Sequence, residues 1–170
     1  MIVMWIAIVV VLIFGCVVFW GAPYVPSQKR YVSQALKDLY PLGTSDVLVD
    51  VGSGDGVVLR LASALGARAV GYELNPILVL ISRILSRKDK RVSVVLADFW
   101  HASLPQETTV VYSFAVTRDS KKTIKKIQSE VDRIGHPIAL LSYGNTLPGL
   151  VAEKSLAAYH LYAFYPLQSN

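Results

Sequence analysis

Gly52, Gly54 and Gly56 stand at alternate positions, with Asp50 before them and Asp55 among them, in the stretch VLVDVGSGDGVVLRLA that spans Val47 to Ala62. An apolar, β-branched run leads in and an apolar, helix-compatible run leads out. At such a strand-to-helix crossover the first helical N–H groups lack partners and the helix presents its positive end. Glycines there let the chain turn sharply and let a ligand approach the backbone. The ligand is constrained by what the stretch lacks. A dinucleotide fingerprint needs G-x-G-x-x-G, but here the third Gly comes one place early and Val57 fills its position. A phosphate loop needs Gly-Lys-Ser/Thr, which is absent. Asp50 and Asp55 would repel a pyrophosphate and suit a cationic amino-acid group. Glu73 follows about twenty residues on, where a carboxylate accepts hydrogen bonds from ribose hydroxyls. Asp98, in LADFW, is placed to accept from an adenine amino group, with Phe99 against the ring. Together these describe the binding of an adenosine carrying a zwitterionic amino-acid arm, as in S-adenosyl-L-methionine.

The elements that must position these groups alternate. Strand-like runs read at Val47–Val51, Ala69–Glu73, Val92–Leu96, Thr109–Phe114 and Ile138–Ser142, and helical ones at Val57–Leu65, Pro76–Ser86 and Ser120–Ile134. Asn75 is placed to cap the second of these helices, with Pro76 in its first turn. The alternation predicts an α/β fold with a mostly parallel sheet and helices on both faces. The tail, LVAEKSLAAYHLYAFYP, offers two strands with a polar break near Glu153–Ser155, an antiparallel hairpin at the sheet edge. An earlier helix reads from Lys29 to Tyr40 and stops at Pro41-Leu42-Gly43.

The N-terminal run differs in kind. Ile2–Trp20 carries no charge and is long enough to cross a hydrocarbon layer of roughly 30 Å as a helix. Trp5, Phe19, Trp20 and Tyr24 lie near its ends, where aromatic rings favour the headgroup layer. No Lys or Arg precedes it, which argues against a cleaved leader. The first cations, Lys29, Arg30 and Lys37, follow the run, so the positive-inside rule places the C-terminal part in the cytoplasm, or in the matrix if the compartment is mitochondrial. The one cysteine, Cys16, lies inside the run, so an intrachain disulfide is excluded and a reducing compartment fits. The net charge of +5 falls wholly after the run, with clusters at Ser86–Arg91 and Lys121–Lys126. These are solvated helix faces or surfaces drawn to an anionic leaflet. No zinc spacing and no RNA-stacking motif is present, so neither a metal nor a nucleic-acid partner is expected.

The blocks PYVPS, LVDVGSGDG, AVGYELNP and LADFW, in this order and spacing, resemble the small class I (seven-strand) S-adenosylmethionine-dependent methyltransferases. More narrowly, they resemble the membrane-associated lysine N-methyltransferases of the adenine nucleotide translocase and ATP synthase c-subunit type and their bacterial relatives. The likeness runs from about Ala22 to Phe114. It implies a Rossmann-like sheet in which Asp50, Gly52, Ser53, Gly54 and Gly56 cradle the methionine arm beside Asp55, Glu73 and Asn75 follow at the second strand, and Asp98 and Phe99 meet the adenine. Tyr24, Val25, Pro26 and Ser27 match a segment that lies over the cofactor; a stiff linker leaving the membrane is the alternative. Beyond Phe114 the chain departs from the family. A Pro expected after the fourth strand is replaced by SFAVTRDS and a Trp-containing stretch after the fifth by SYGNTLPGL, so the acceptor pocket is its own. The fourth strand also lacks the Asn/Asp-Pro-Pro-aromatic motif of amino-purine and glutamine methyltransferases.

The expected organisation is a transmembrane helix over residues 1–21, a linker with a cofactor-covering helix over 22–45, and a methyltransferase domain over 46–170. The acceptor implied by the resemblance is a lysine of a membrane protein, which must arrive neutral although its free pKa is about 10.4. A dry, aromatic channel would depress that value. Trp100 is the candidate channel wall, with a core role as the alternative. A lipid or other small molecule as acceptor, or a non-catalytic cofactor-binding module, remain the competing functions.

Overall fold

The computed structural model describes residues 1–5, 28–115, 119–144 and 146–167. The chain builds one seven-stranded sheet. In chain order its elements are α1 (Lys29–Gln34, continued by a π-helical turn over Ala35–Leu39), β1 (Val47–Val51), α2 (Val57–Ala64), β2 (Arg68–Glu73), α3 (Pro76–Ser86), β3 (Val92–Leu96), β4 (Val110–Ala115), α4 (Ser120–Ile134), β5 (Ile138–Gly144), β6 (Lys154–Leu156) and β7 (Tyr159–Phe164). The strand order is β3-β2-β1-β4-β5-β7-β6. β1 to β5 run parallel, and β7 enters antiparallel between β5 and β6. The order reverses at β1, flanked by β2 and β4, and in such sheets ligands bind beyond the strand C-termini at that switch.

The central strands are largely apolar because both faces are covered, with Asp50 near the C-terminal end of β1 and Glu73 at that of β2. Leu48, Val58, Leu59, Val79, Val94 and Tyr112 fill the face beneath α1, α2 and α3. Val49, Val70, Val111, Ile127, Val131 and Tyr162 fill the face beneath α4. The adjacent residues Leu48 and Val49 go to opposite cores, as the period of two requires.

Two details differ from the sequence expectation. The helix after Lys29 ends in a wide turn, in which Tyr40 N–H donates to Ala35 O and Leu42 N–H to Leu36 O. This rotates Ala35, Leu36 and Leu39 onto the core. The hairpin turns at Ala157-Ala158, with Ala157 at φ 52°, rather than at the break expected near Glu153–Ser155, since Lys154–Leu156 is a strand paired to β7. α4 is fastened to the β3–β4 loop by a buried cluster. Glu130 accepts from Lys126 and Arg133 at 2.6 Å each and from Leu104 N–H at 3.1 Å. Burial alone would raise the Glu130 carboxyl, but these hydrogen bonds hold it below the ordinary glutamate value.

Among the described residues no helix is long and apolar enough to cross a membrane. The expected spanning run lies outside the described residues from residue 6 onward, as does the segment Tyr24–Ser27.

Candidate functional site

The glycine turn joins the C-terminus of β1 to α2 and is tied to its neighbour strand. Gly52 and Ser53 N–H both donate to Tyr72 O, at 2.9 and 3.1 Å, and Gly56 N–H donates to Ser53 O at 2.8 Å. Gly56 begins α2 at φ 79°, a conformation that costs any other L-residue energy. A Cβ there would also overlap the Ser82 hydroxyl of α3. Gly71, inside β2, is required for a related reason: the Ser53 side chain and Leu59 occupy the space a Cβ would take. Neither Gly71 nor Ser82 was singled out from sequence. The one available signal was a bare glycine inside a strand pattern, which marks a close approach.

Three carboxylates converge at this turn. Asp50 is 3% exposed, and its carboxyl is pushed up to about 8 by burial first, then by the charges of Glu73 and Asp55. Glu73 is fixed by two backbone donors: Oε2 accepts from Gly54 N–H and Oε1 from Asn75 N–H, both at 2.8 Å. A carboxylate accepts about four hydrogen bonds, so lone pairs remain for hydroxyl donors. Asp55 is committed to the protein. Its Oδ1 accepts from Val57 N–H at 3.1 Å, and its Oδ2 lies 3.4 Å from Arg60 Nη2. Asn75 is the α3 cap: its Oδ1 accepts from Ile77 N–H at 3.0 Å, and the residue is buried. Ser53 is buried and its hydroxyl has no partner among the described atoms.

The other end of the site sits after β3. Asp98 Oδ1 accepts from Trp100 N–H at 3.0 Å, and its Oδ2 lies 2.7 Å from His101 Nδ1. Phe99, expected against an adenine ring, is 5% exposed and belongs to the core beneath α4, edge-on to Trp100 at 5.3 Å. Its burial gives the ring a packing role. Trp100 packs against the same core, with the Lys122 ammonium 4.1 Å above its ring. This placement favours the core role for Trp100 over a channel wall.

An aromatic row that sequence reasoning missed lies at the C-terminal ends of β4 and β5. Phe114 is 44% exposed and stands 5.1 Å from Tyr143, which stands 4.8 Å from Tyr159. Tyr112 adjoins Tyr159 at 6.4 Å. Phe114, Tyr143 and Tyr159 come from distant segments, and the β4–β5–β7 register alone brings them together.

The residues present fit a cationic amino-acid nucleoside. Packed carboxylates raise one another's cost of ionisation, and a cation among them relieves it. The fixed Glu73 carboxylate suits vicinal hydroxyls, and the glycine backbone leaves room for close approach. Asp50, Gly52, Ser53, Gly54, Gly56 and Glu73 are brought together at the switch point; Asp98 is set at the end of the neighbouring strand.

Comparison with known proteins agrees. A family described as a methyltransferase domain matches residues 49–141. The ATP synthase c-subunit lysine N-methyltransferase of Xenopus laevis is 35% identical over 120 residues, covering 69% of this chain and 52% of that protein. The adenine nucleotide translocase lysine N-methyltransferase of Mus musculus is 41% identical over 86 residues, 48% of this chain and 37% of that protein. The chain thus spans about half the length of the curated ATP synthase c-subunit lysine N-methyltransferases it matches. Among solved structures, an RNA methyltransferase of Salinibacter ruber in complex with S-adenosyl-L-homocysteine superposes with a TM-score of 0.73 at 25% identity, covering 86% of this chain and 97% of that one.

Proposed function

The chain belongs to the class I S-adenosylmethionine-dependent methyltransferases, and we propose that it transfers a methyl group to the ε-amino group of a lysine in a membrane protein. The observation that carries the acceptor is the identity of 33–35% to lysine N-methyltransferases over 113–120 residues of this chain. When bound, the cofactor supplies a methyl carbon on a positively charged sulfur, open to in-line displacement. The protein's task is alignment and the exclusion of water.

The residues divide that task. Gly52 to Gly56 let the amino-acid arm lie against the backbone. Asp50 and Glu73 supply negative charge where the cationic arm sits, and Glu73 also offers acceptors to the ribose hydroxyls. Asp98 holds the loop after β3 through Trp100 N–H and faces the adenine end. The row of Phe114 and Tyr143 borders the acceptor path. There an aromatic face attracts a cationic lysine, and a low-dielectric wall then favours its neutral, nucleophilic form.

The uncharged run Ile2–Trp20 is proposed as a single-pass anchor, with the catalytic domain on the cytoplasmic or matrix side. The basic residues that follow it, Lys29, Arg30 and Lys37, support that orientation. A tether of this kind raises the effective concentration of the enzyme in the plane of its target.

The test uses membranes and RNA from a strain lacking the gene, incubated with the purified chain and methyl-labelled S-adenosylmethionine. Label recovered as N-methyl-lysine after protein hydrolysis is the expected result. Label that extracts into organic solvent, or that remains with RNA, refutes the acceptor.

A further inference from the structure

α3 is built inside out. Its buried residues are Val79, Ser82 and Ser86. Its outward residues are large and apolar: Leu80 is 59% exposed, Ile81 39%, Ile84 49% and Leu85 54%. Positions 80, 81, 84 and 85 form one continuous stripe at helical spacing. The inversion has a cause at the site. Ser82 must be small because it lies against Gly56, at the start of α2. Leu96 of β3 lies on the sheet face that α3 covers, since it shares the parity of the buried Val94, and is 53% exposed at the sheet edge. Contiguous exposed apolar surface of this kind marks an interaction site.

Charge identifies what it meets. The stripe runs directly into Arg87, Lys88, Lys90 and Arg91, all exposed, with one acid, Asp89, among them. Asp89 is committed to Arg91 N–H at 3.0 Å. Arg83 is also committed: its guanidinium donates twice to Val94 O and closes the edge of β3. Beside Leu85 a groove of about 460 Å³ is lined by Lys88, Arg91, Arg60, Asp89, Ser63 and Ser86. The Ser86 hydroxyl is buried there with no partner among the described atoms.

We propose that α3 and the loop behind it dock on an anionic lipid bilayer, with Leu80, Ile81, Ile84 and Leu85 in the interfacial layer and Arg87, Lys88, Lys90 and Arg91 on the headgroup phosphates. A helix with one apolar face and cations beside it lies in the plane of such an interface. The other apolar occupants fit less well. The chain's own run Ile2–Trp20 carries no acid to meet the cations. A second copy paired face to face brings two such basic clusters into one interface. Docking here places the α3 cap, and with it Glu73 and Asn75, beside the membrane surface. It does not depend on which acceptor is methylated.

The test uses the full chain with Cys16→Ser and a single nitroxide label at Ile84→Cys, and a control label at Ser129→Cys, exposed on α4 outside the Lys121–Lys126 cluster. Each is mixed with phosphatidylcholine vesicles with and without phosphatidylserine. Collisions of the label with oxygen and with a polar nickel chelate report lipid and water. With the anionic vesicles the label at residue 84 should gain oxygen contact and lose chelate contact, while the control stays in water. Lys88→Gln and Lys90→Gln should each lower the docked population roughly fivefold. The proposal is overturned if the residue 84 label stays as accessible to the chelate as the control, or penetrates neutral vesicles equally. It is also overturned if the label is shielded from both reagents without lipid, the signature of a covering protein segment. Binding of S-adenosylhomocysteine by the labelled chains, measured alongside, separates loss of docking from loss of the methyltransferase site.

Discussion

Replacing Gly56 by Ala sets a methyl group where the Ser82 hydroxyl lies and forces an L-residue to φ 79°. The left-handed conformation costs about 1–2 kcal/mol. Overpacking against α3 costs about 1–3 kcal/mol. The single substitution should therefore destabilise the chain by about 2–5 kcal/mol. Ser82→Gly removes the obstructing side chain and costs about 0.5 kcal/mol through helix propensity. In the double variant the overlap is gone and the backbone term remains. The two changes should thus couple favourably by about 1–3 kcal/mol in a double-mutant cycle, measured by urea unfolding of the four proteins in mild detergent. Additivity to within about 0.5 kcal/mol would mean that Ser82 is not packed on Gly56, and the explanation of the inverted α3 would fail with it.

Three further outcomes concern Asp50 and the aromatic row. The Asp50 carboxyl ionises near 8 in the folded chain against an ordinary value of 3.8, so the folded state holds the proton more tightly between those values. Stability present at low pH should fall, by at most about 1.4 kcal/mol per unit, as pH rises toward 8 and then level off; Asp50→Asn should flatten that slope in urea titrations. A cationic cofactor beside Asp50 should expel its proton, read at pH 7 as a binding heat that varies with the ionisation enthalpy of the buffer. Phe114→Ala should raise the KM for the acceptor about tenfold, as expected for loss of a cation–π contact and apolar wall, while the affinity for S-adenosylhomocysteine stays unchanged in calorimetry.

The parallel core of the fold was legible because its strands read as short, mainly apolar runs between turn and helix signals. Val47–Val51 and Val92–Leu96 match their observed limits, as do the helices Pro76–Ser86 and Ser120–Ile134. What failed to show was geometry set by distant contacts. Periodicity finds the helix Pro76–Ser86 but does not say which face goes inward; Gly56 decides that, from twenty residues earlier in the chain, by admitting only a small side chain. Lys154–Leu156 is polar and becomes a strand because β7 offers it hydrogen bonds. At the site, the convergence of the glycine turn and Glu73, joined by Gly54 N–H, follows from positions local to a turn and a strand end. Phe99 could not be placed, since a ring after a strand faces ligand or core according to what α4 leaves open. The aromatic row at Phe114 depends on β4–β5–β7 register, which no local pattern carries.

Titration of the full chain with S-adenosylhomocysteine bears most directly on the carboxylate-lined glycine turn as the cofactor site. One molecule should bind per chain. Glu73→Ala, which removes charge-assisted acceptors, should weaken binding by about 1–3 kcal/mol, or roughly 5- to 150-fold, in a chain that still unfolds cooperatively. A folded wild-type chain that binds nothing, or a folded Glu73→Ala chain that binds with the original affinity, would contradict it.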